Sequence, residues 1–164
     1  MNTKKISYLG LMIALAFVLS YVEFLLPLNI GIPGAKIGLA NLVIVVALYT
    51  FSAKTALALS VVRVILVGFT FGNLSMMMYS MAGAALSFAV MVLAKKLNRL
   101  SVTGVSVLGG VFHNVGQILV AILVLETGSI IYYLPFLVIV GTISGVVIGI
   151  VAAMITKRVR MGVD

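Results

Sequence analysis

Long apolar runs dominate the chain and constrain its fold more than any other feature. Six runs, at residues 7–26, 37–51, 55–71, 74–94, 102–125 and 130–156, are separated by short segments that carry proline, glycine or charge. A helix of about 20 apolar residues is long enough to cross the hydrocarbon core of a bilayer. Hydrophobic residues make up 63% of the 164 residues, too many for a soluble domain of this size. We therefore predict an all-α integral membrane protein with six transmembrane helices in a single membrane domain, residues 1–164.

The basic residues indicate how the helices cross the membrane. The net charge is +8, but the charges stand at the ends of apolar runs and not on a solvated face, so we expect membrane lipid and not nucleic acid as the partner. Cytoplasmic loops of membrane proteins are enriched in lysine and arginine. With both termini inside (N-in/C-in), only Lys36 falls outside and Arg63 falls within the membrane. The cytoplasmic side of a prokaryotic plasma membrane then holds Lys4, Lys5, Lys54, Lys95, Lys96, Arg99, Lys157, Arg158 and Arg160.

The fifth run contains an unusual polar segment, Gly-Gly-Val-Phe-His-Asn-Val-Gly-Gln, at residues 109–117. Helical spacing places Gly109, His113, Gly116 and Gln117 on one stripe, and Asn114 adjoins it. Polar groups in hydrocarbon are costly unless they are paired, so this stripe is expected to face the bundle interior or a cavity.

Other unusual polar residues are predicted to lie at the same depth, in the outer half of the membrane. These are Glu23 in the first run, Lys36 in the first outer loop, Asn41 in the second run and Arg63 in the third. A buried arginine normally marks a functional site or a fixed ion pair. Two interpretations stay open: Glu23 and Arg63 lock two helices together, or Arg63, with Lys36, binds an anionic group of a ligand.

His113 also has alternative interpretations. It is a neutral imidazole satisfied inside the bundle, a hydrogen-bonding group for a ligand, or an axial ligand to a haem-like iron. Asn114 and Gln117 are interpreted as binding groups, because two amides beside a histidine exceed what packing requires. The methionines at 76, 77, 78 and 81 indicate adaptable packing or the wall of a pocket.

Counting reactive residues argues against catalysis. The chain has three acidic residues, one histidine and no cysteine, with neither an Asp-rich magnesium motif nor a P-loop. We therefore predict that it is not an enzyme and has no cofactor or metal site of its own. If ATP drives transport, another subunit must bind it.

Small residues at four-residue spacing allow helices to approach closely in a membrane. In the sixth run such a series comprises Gly141, Gly145, Gly149 and Ala153, which predicts close packing along that helix. Gly10 and Ala14 in the first run serve either ordinary internal packing or the docking of another subunit. Between the first two runs, residues 27–36 contain two prolines and two glycines, which predicts a loop or re-entrant segment.

Two motifs resemble a known family. Pro-Gly-Ala-Lys-Ile-Gly-Leu-Ala-Asn at residues 33–41, Arg63, and His-Asn-Val-Gly-Gln at residues 113–117 are similar to the Gx transporter family, labelled heptaprenyl diphosphate synthase component I. That family is grouped with the substrate-binding S components of energy-coupling factor (ECF) transporters. The resemblance implies an S-component-like six-helix bundle, a ligand site near the outer face, and docking of a coupling subunit on Gly10 and Ala14. S components usually carry Ala-x-x-x-Ala there, so glycine is a departure.

Two functions from different classes follow. The first is a substrate-binding subunit for uptake of a small amphipathic anion, such as an isoprenoid phosphate, a flavin-like vitamin or a tetrapyrrole, with closure of the first outer loop. The second is a non-catalytic membrane accessory subunit of a polyprenyl diphosphate synthase. A solitary transporter or a scaffold for a membrane redox complex is a third alternative.

Overall fold

The computed structural model describes residues 3–25 and 38–161, and the side chains of 6–25 and 38–159. The predicted loop at residues 27–36, including Lys36, lies outside these residues. The described ranges contain six α-helices and one 3-10 helix, and no strand. The α-helices are α1 (Thr3–Leu25), α2 (Asn41–Thr50), α3 (Ala53–Thr70), α4 (Leu74–Lys96), α5 (Val102–Leu125) and α6 (Leu134–Met161), with the 3-10 helix at Gly128–Tyr133.

Polar caps in short connections fix where three of the helices begin. The side chains of Ser52, Asn73 and Ser101 accept hydrogen bonds from backbone N–H groups in the first turns of α3, α4 and α5, at 3.2, 2.8 and 3.2 Å. Each such cap stabilises a helix by about 1 kcal/mol. At the other end of α5, Glu126 adopts a left-handed conformation with φ of 50° and stops the helix.

Five of the described helices are long and apolar enough to cross a membrane, which confirms the prediction of an all-helical, multi-pass membrane protein. The second predicted span, residues 37–51, differs. There the described helix α2 has only 10 residues, or about 15 Å, against the roughly 30 Å of a hydrocarbon core. The N-in/C-in orientation stays a prediction.

The short helix α2 is buried at the centre of the bundle. Six consecutive residues, 43–48, are buried, so no face of this stretch is left for lipid. The core around it is built from the first halves of α3 and α5 and the last parts of α4 and α6. Its members outside α2 are Ala56, Leu59, Phe88, Met91, Ala94, Val105 and Ala152. If the bundle is divided into two halves along its long axis, α2 therefore fills one of them.

The bundle has two ends, the Lys95 end and the Phe71 end. The Lys95 end holds the first residues of α3 and α5 and the last residues of α2, α4 and α6. At the Phe71 end, the last residues of α1 meet the end of α3, where Phe71 lies. In the described part of the chain, exposed basic residues cluster at the Lys95 end, as the positive-inside rule expects of a cytoplasmic face; they are Lys54, Lys96, Arg99, Lys157 and Arg158.

Glycines bring α5 and α6 into backbone contact. A methyl group on Gly145 would lie 2.6 Å from Cα of Val107, and one on Gly149 would lie 2.6 Å from Cα of Thr103. A methyl group on Gly141 would lie 2.9 Å from the carbonyl oxygen of Gly110. These distances are shorter than van der Waals contact, so a larger residue does not fit without moving a helix. The predicted close packing along the glycine series is confirmed.

Lys95 connects the end of α4 to the end of α2. Its ammonium donates a 2.5 Å hydrogen bond to the carbonyl oxygen of Leu48 and lies 4.9 Å from the centre of the Tyr49 ring. Carbonyls in the last turn of a helix lack partners within the helix, and a cation there also interacts favourably with the helix dipole. Lys95 thus holds the buried helix α2 in place.

We expect Lys95→Met to lower the free energy of unfolding by about 2 kcal/mol, because the variant keeps the aliphatic stem but loses a charged hydrogen bond. Thermal unfolding in detergent would measure the change. Lys96→Met is the matched control, since Lys96 is exposed on the same helix end. Equal stability of the two variants would contradict the assigned role of Lys95.

Candidate ligand site

A cavity opens in the half of the bundle that α2 does not fill. Its volume is about 850 Å³, including the open mouth. Both polar and apolar side chains line it. The polar lining side chains are Ser20, Glu23, Asn41, Arg63, Ser80, His113, Asn114 and Ser144.

The first residues of α2 lie deep in this cavity. A methyl group on Gly109, in the first half of α5, would lie 3.4 Å from Nδ2 of Asn41. Similarly, a methyl group on Gly38 would lie 3.9 Å from Cδ1 of Ile148, near the middle of α6. Gly38 itself has a φ of 80°, a conformation that favours glycine. α2 therefore begins well inside the bundle and points its N-terminus into the cavity.

Arg63 is the cation of the site. It lies in the second half of α3 and is half-buried, and its Nε is completely buried without a hydrogen-bond partner among the described residues. Glu23 of α1 is buried beside the same cavity and interacts electrostatically with the Arg63 guanidinium. The Glu23 carboxylate accepts a hydrogen bond from the backbone N–H of Gly38. The two charges are close neighbours, and the Nε of the guanidinium lacks a hydrogen-bond partner among the described residues.

Asn114 and His113 enter the cavity from α5. The Asn114 side chain is 3% exposed and donates a 2.8 Å hydrogen bond to the carbonyl of Leu137 on α6. His113 lies against α4, where a methyl group on Gly83 would lie 3.0 Å from its Cε1. Asn114 thus has a packing role as well as a place in the cavity.

Glycines on neighbouring helices make room for these polar groups. Gly109 faces the amide of Asn41, Gly83 faces the imidazole of His113, and a methyl group on Gly141 would lie 2.9 Å from Nδ2 of Asn114. The glycines that allow close helix packing therefore also determine where polar side chains of the cavity lie.

The cavity becomes apolar towards the Phe71 end. Phe24 and Phe71 form one wall, and Met76 and Met77 form another, with the Met77 sulfur packed over the backbone of Gly68. The Phe71 ring contacts Phe24 at a centroid distance of 5.2 Å, and two other α1 rings, Phe17 and Tyr21, each at 5.4 Å. Aromatic pairs at such distances stabilise their arrangement. The aromatic wall was not predicted, because aromatic residues near helix ends are common in membrane proteins. For Met76 and Met77, the structure favours the predicted alternative of a pocket wall.

The remaining predicted residues lie elsewhere. Gln117 is buried but does not line the cavity; its Cγ would lie 3.0 Å from a methyl group on Gly83, in the contact between α4 and α5. Gly10 and Ala14 are exposed on α1, with nothing within 4 Å of a methyl group on Gly10. Lys36 lies outside the described residues. Serines 20, 80 and 144 line the cavity without having been predicted as site residues, since single serines in apolar helices carry little signal.

Within residues 3–25 and 38–161, no group of three His, Cys, Asp or Glu side chains is close enough together to hold a metal ion. Of these residue types, His113 and Glu23 line the cavity. Its other polar groups are hydroxyls, amides and one guanidinium, which bind oxygen-rich ligands by hydrogen bonding and charge.

A family model described as heptaprenyl diphosphate synthase component I matches residues 12–155. The chain belongs to this family. The match confirms the resemblance carried by residues 33–41, Arg63 and residues 113–117, and it includes every residue that lines the cavity. No curated protein and no solved structure matches the chain. As a member of the heptaprenyl diphosphate synthase component I family, the chain is a membrane-associated component built around a polar cavity.

Proposed function

We propose that this chain is a non-catalytic, substrate-binding membrane subunit, similar to ECF S components, for uptake of a small amphipathic anion. The observation that carries the proposal is Arg63, held beside a cavity in a membrane bundle with its Nε unpartnered in the described structure. A desolvated cation is costly in a membrane and is kept where it serves function or fixes an ion pair. Asn41 and His113 lie at the same cavity and supply further hydrogen-bonding groups.

In this mechanism the ligand enters from outside the cell and binds in the cavity. The bundle then releases it inside as part of a complex with an ECF coupling subunit and its ATPases. The exposed stripe of Gly10 and Ala14 is the proposed docking face, because small residues let another helix approach closely. The basic Lys95 end is the proposed cytoplasmic side.

We expect Gly10→Leu to reduce co-purification of the coupling subunit and ATPases from the native host at least about tenfold, since a bulky side chain keeps the partner helix away. Ligand binding by the isolated chain should not change, because Gly10 is remote from the cavity lining. Ala85→Leu is the control, since Ala85 is exposed on α4. An equal loss in both variants, or none in Gly10→Leu, would argue against this docking face.

Native mass spectrometry of protein purified gently from its own host tests the proposed function. A retained small molecule in the wild type, absent from Arg63→Ala, is the expected result. An empty protein that carries no transport partner would contradict the proposal.

A second candidate is a membrane accessory subunit of a polyprenyl diphosphate synthase. The family description favours it, and the exposed cations at the Lys95 end offer a surface for an acidic soluble partner. Recovery of a soluble synthase subunit with an otherwise empty chain, lost when Lys96, Arg99 and Lys157 are replaced by glutamine, would support this candidate over transport.

A further inference from the structure

The cavity has a polar floor and an apolar mouth. The floor is formed by Gly38, Asn41 and Arg63, next to the deep N-terminus of α2. The mouth is formed by side chains at helix ends near the Phe71 end: Phe24, Phe71, Met76 and Met77. Arg63 and Phe71 are eight residues apart, or about 12 Å along a helix. A ligand that enters through the mouth therefore passes the apolar groups first and meets the polar groups at the floor.

Together with Glu23, whose carboxylate binds the N–H of Gly38, the floor carries a small excess of positive charge in the described structure. Glu23 contributes one negative charge and Arg63 one positive charge. The N-terminus of a helix adds roughly half a positive charge, and oriented helix termini bind anionic groups inside membrane proteins. The N–H of Gly38 already binds one carboxylate, that of Glu23. Among the described residues, one further negative charge fits this balance, whereas several would exceed it.

We propose that the ligand is a water-soluble monoanion, with one carboxylate on a compact apolar body, bound with the carboxylate on the floor. This inference rests on the proposed uptake function and specifies its substrate class. The carboxylate accepts hydrogen bonds from Arg63 and Asn41, and the apolar body lies between Phe71 and Met77. Met77 lines the cavity and is unbranched and flexible, so its side chain can adapt to the shape of the body.

This polarity argues against a prenyl diphosphate as the ligand. A prenyl lipid keeps its charged group at the membrane surface and its chain in hydrocarbon, the reverse of the order found in this cavity. A diphosphate also brings more than one negative charge next to Glu23, and an uncompensated charge in a low-dielectric site is costly.

Three probes separate the two parts of the site: 2-naphthoate, neutral 2-naphthol and acetate. Each is titrated by calorimetry into the whole chain in lipid nanodiscs, as wild type, Arg63→Gln, Phe71→Ala and Met77→Ala. We expect Arg63→Gln to weaken the binding of 2-naphthoate at least about 30-fold and the binding of 2-naphthol less than about threefold. Phe71→Ala and Met77→Ala, the two variants at the mouth, should each weaken the binding of 2-naphthoate about tenfold and leave the binding of acetate unchanged.

Tyr21→Ala is the matched control for the mouth. Tyr21 contacts the Phe71 ring but does not line the cavity, so its loss should leave 2-naphthoate binding unchanged. If Phe71→Ala does not fold, Met77→Ala tests the opposite wall of the apolar mouth without removing an aromatic contact.

Farnesyl diphosphate provides the opposing probe. If it binds more tightly than 2-naphthoate and displaces it, the proposed substrate class is wrong, although the uptake function stands. If no probe binds while native mass spectrometry finds a retained molecule, the substrate class is again wrong and uptake stands. If no probe binds and the native protein is also empty, both proposals fail.

Discussion

Arg63→Ala is expected to lose at least about a hundredfold in ligand affinity while the protein keeps its helical content. Removing one member of a buried charged contact costs about 3 kcal/mol or more, and 1.4 kcal/mol corresponds to a factor of ten. The helices should survive because Arg63 is not part of the apolar core around α2. Occupancy by the retained native molecule measures binding, and circular dichroism with thermal unfolding measures the fold.

Arg99→Ala is the control, because Arg99 is exposed at the Lys95 end. The competing interpretation is that Glu23 and Arg63 only lock α1 to α3. It predicts that Glu23→Gln and Arg63→Gln each destabilise the protein and that the double variant recovers much of the loss, as expected when one charge is left buried alone. That pattern, with ligand occupancy unchanged, would refute the binding role of Arg63.

Much of the architecture could be predicted because hydrocarbon imposes strict rules on sequence. The apolar runs predicted five long helices within a few residues of their ends, and the glycine series on α6 predicted its contact with α5. The rule that buried charge must face an interior also predicted that Arg63, Glu23 and His113 converge, and all three line one cavity. Their role in binding stays a proposal.

The inner arrangement of the cavity could not be predicted from periodicity. A helical stripe shows that Gln117 and His113 share a face, but not which neighbouring helix each side chain meets. In the structure, His113 reaches the cavity and Gln117 packs between α4 and α5. The depth at which a helix begins depends likewise on tertiary packing. Hydropathy predicted a span at residues 37–51, and only the contacts of Asn41 with Gly109 and of Gly38 with Ile148 place the N-terminus of α2 inside the bundle.

Gly145→Ala and Gly10→Ala make the same chemical change in two helices and are expected to have opposite effects. In an unhindered helix, alanine is more favourable than glycine by about 1 kcal/mol, so Gly10→Ala should be neutral or slightly stabilising. At Gly145 the three nearest atoms to a new methyl group are backbone atoms of α5, at 2.6–3.1 Å. Backbone atoms cannot relieve such a clash by a change of rotamer, as side-chain atoms can. Overpacking of this kind costs about 3 kcal/mol.

Thermal unfolding in detergent should therefore show Gly145→Ala melting about 10 °C below the wild type. Because Gly145 lines the cavity, separation of α5 from α6 should also weaken ligand binding, whereas Gly10→Ala should bind normally. Equal melting temperatures for the two variants would mean that α5 and α6 can move apart at little cost. The cavity between them would then be held open by the other helices, and the glycine series would not be what positions its polar groups.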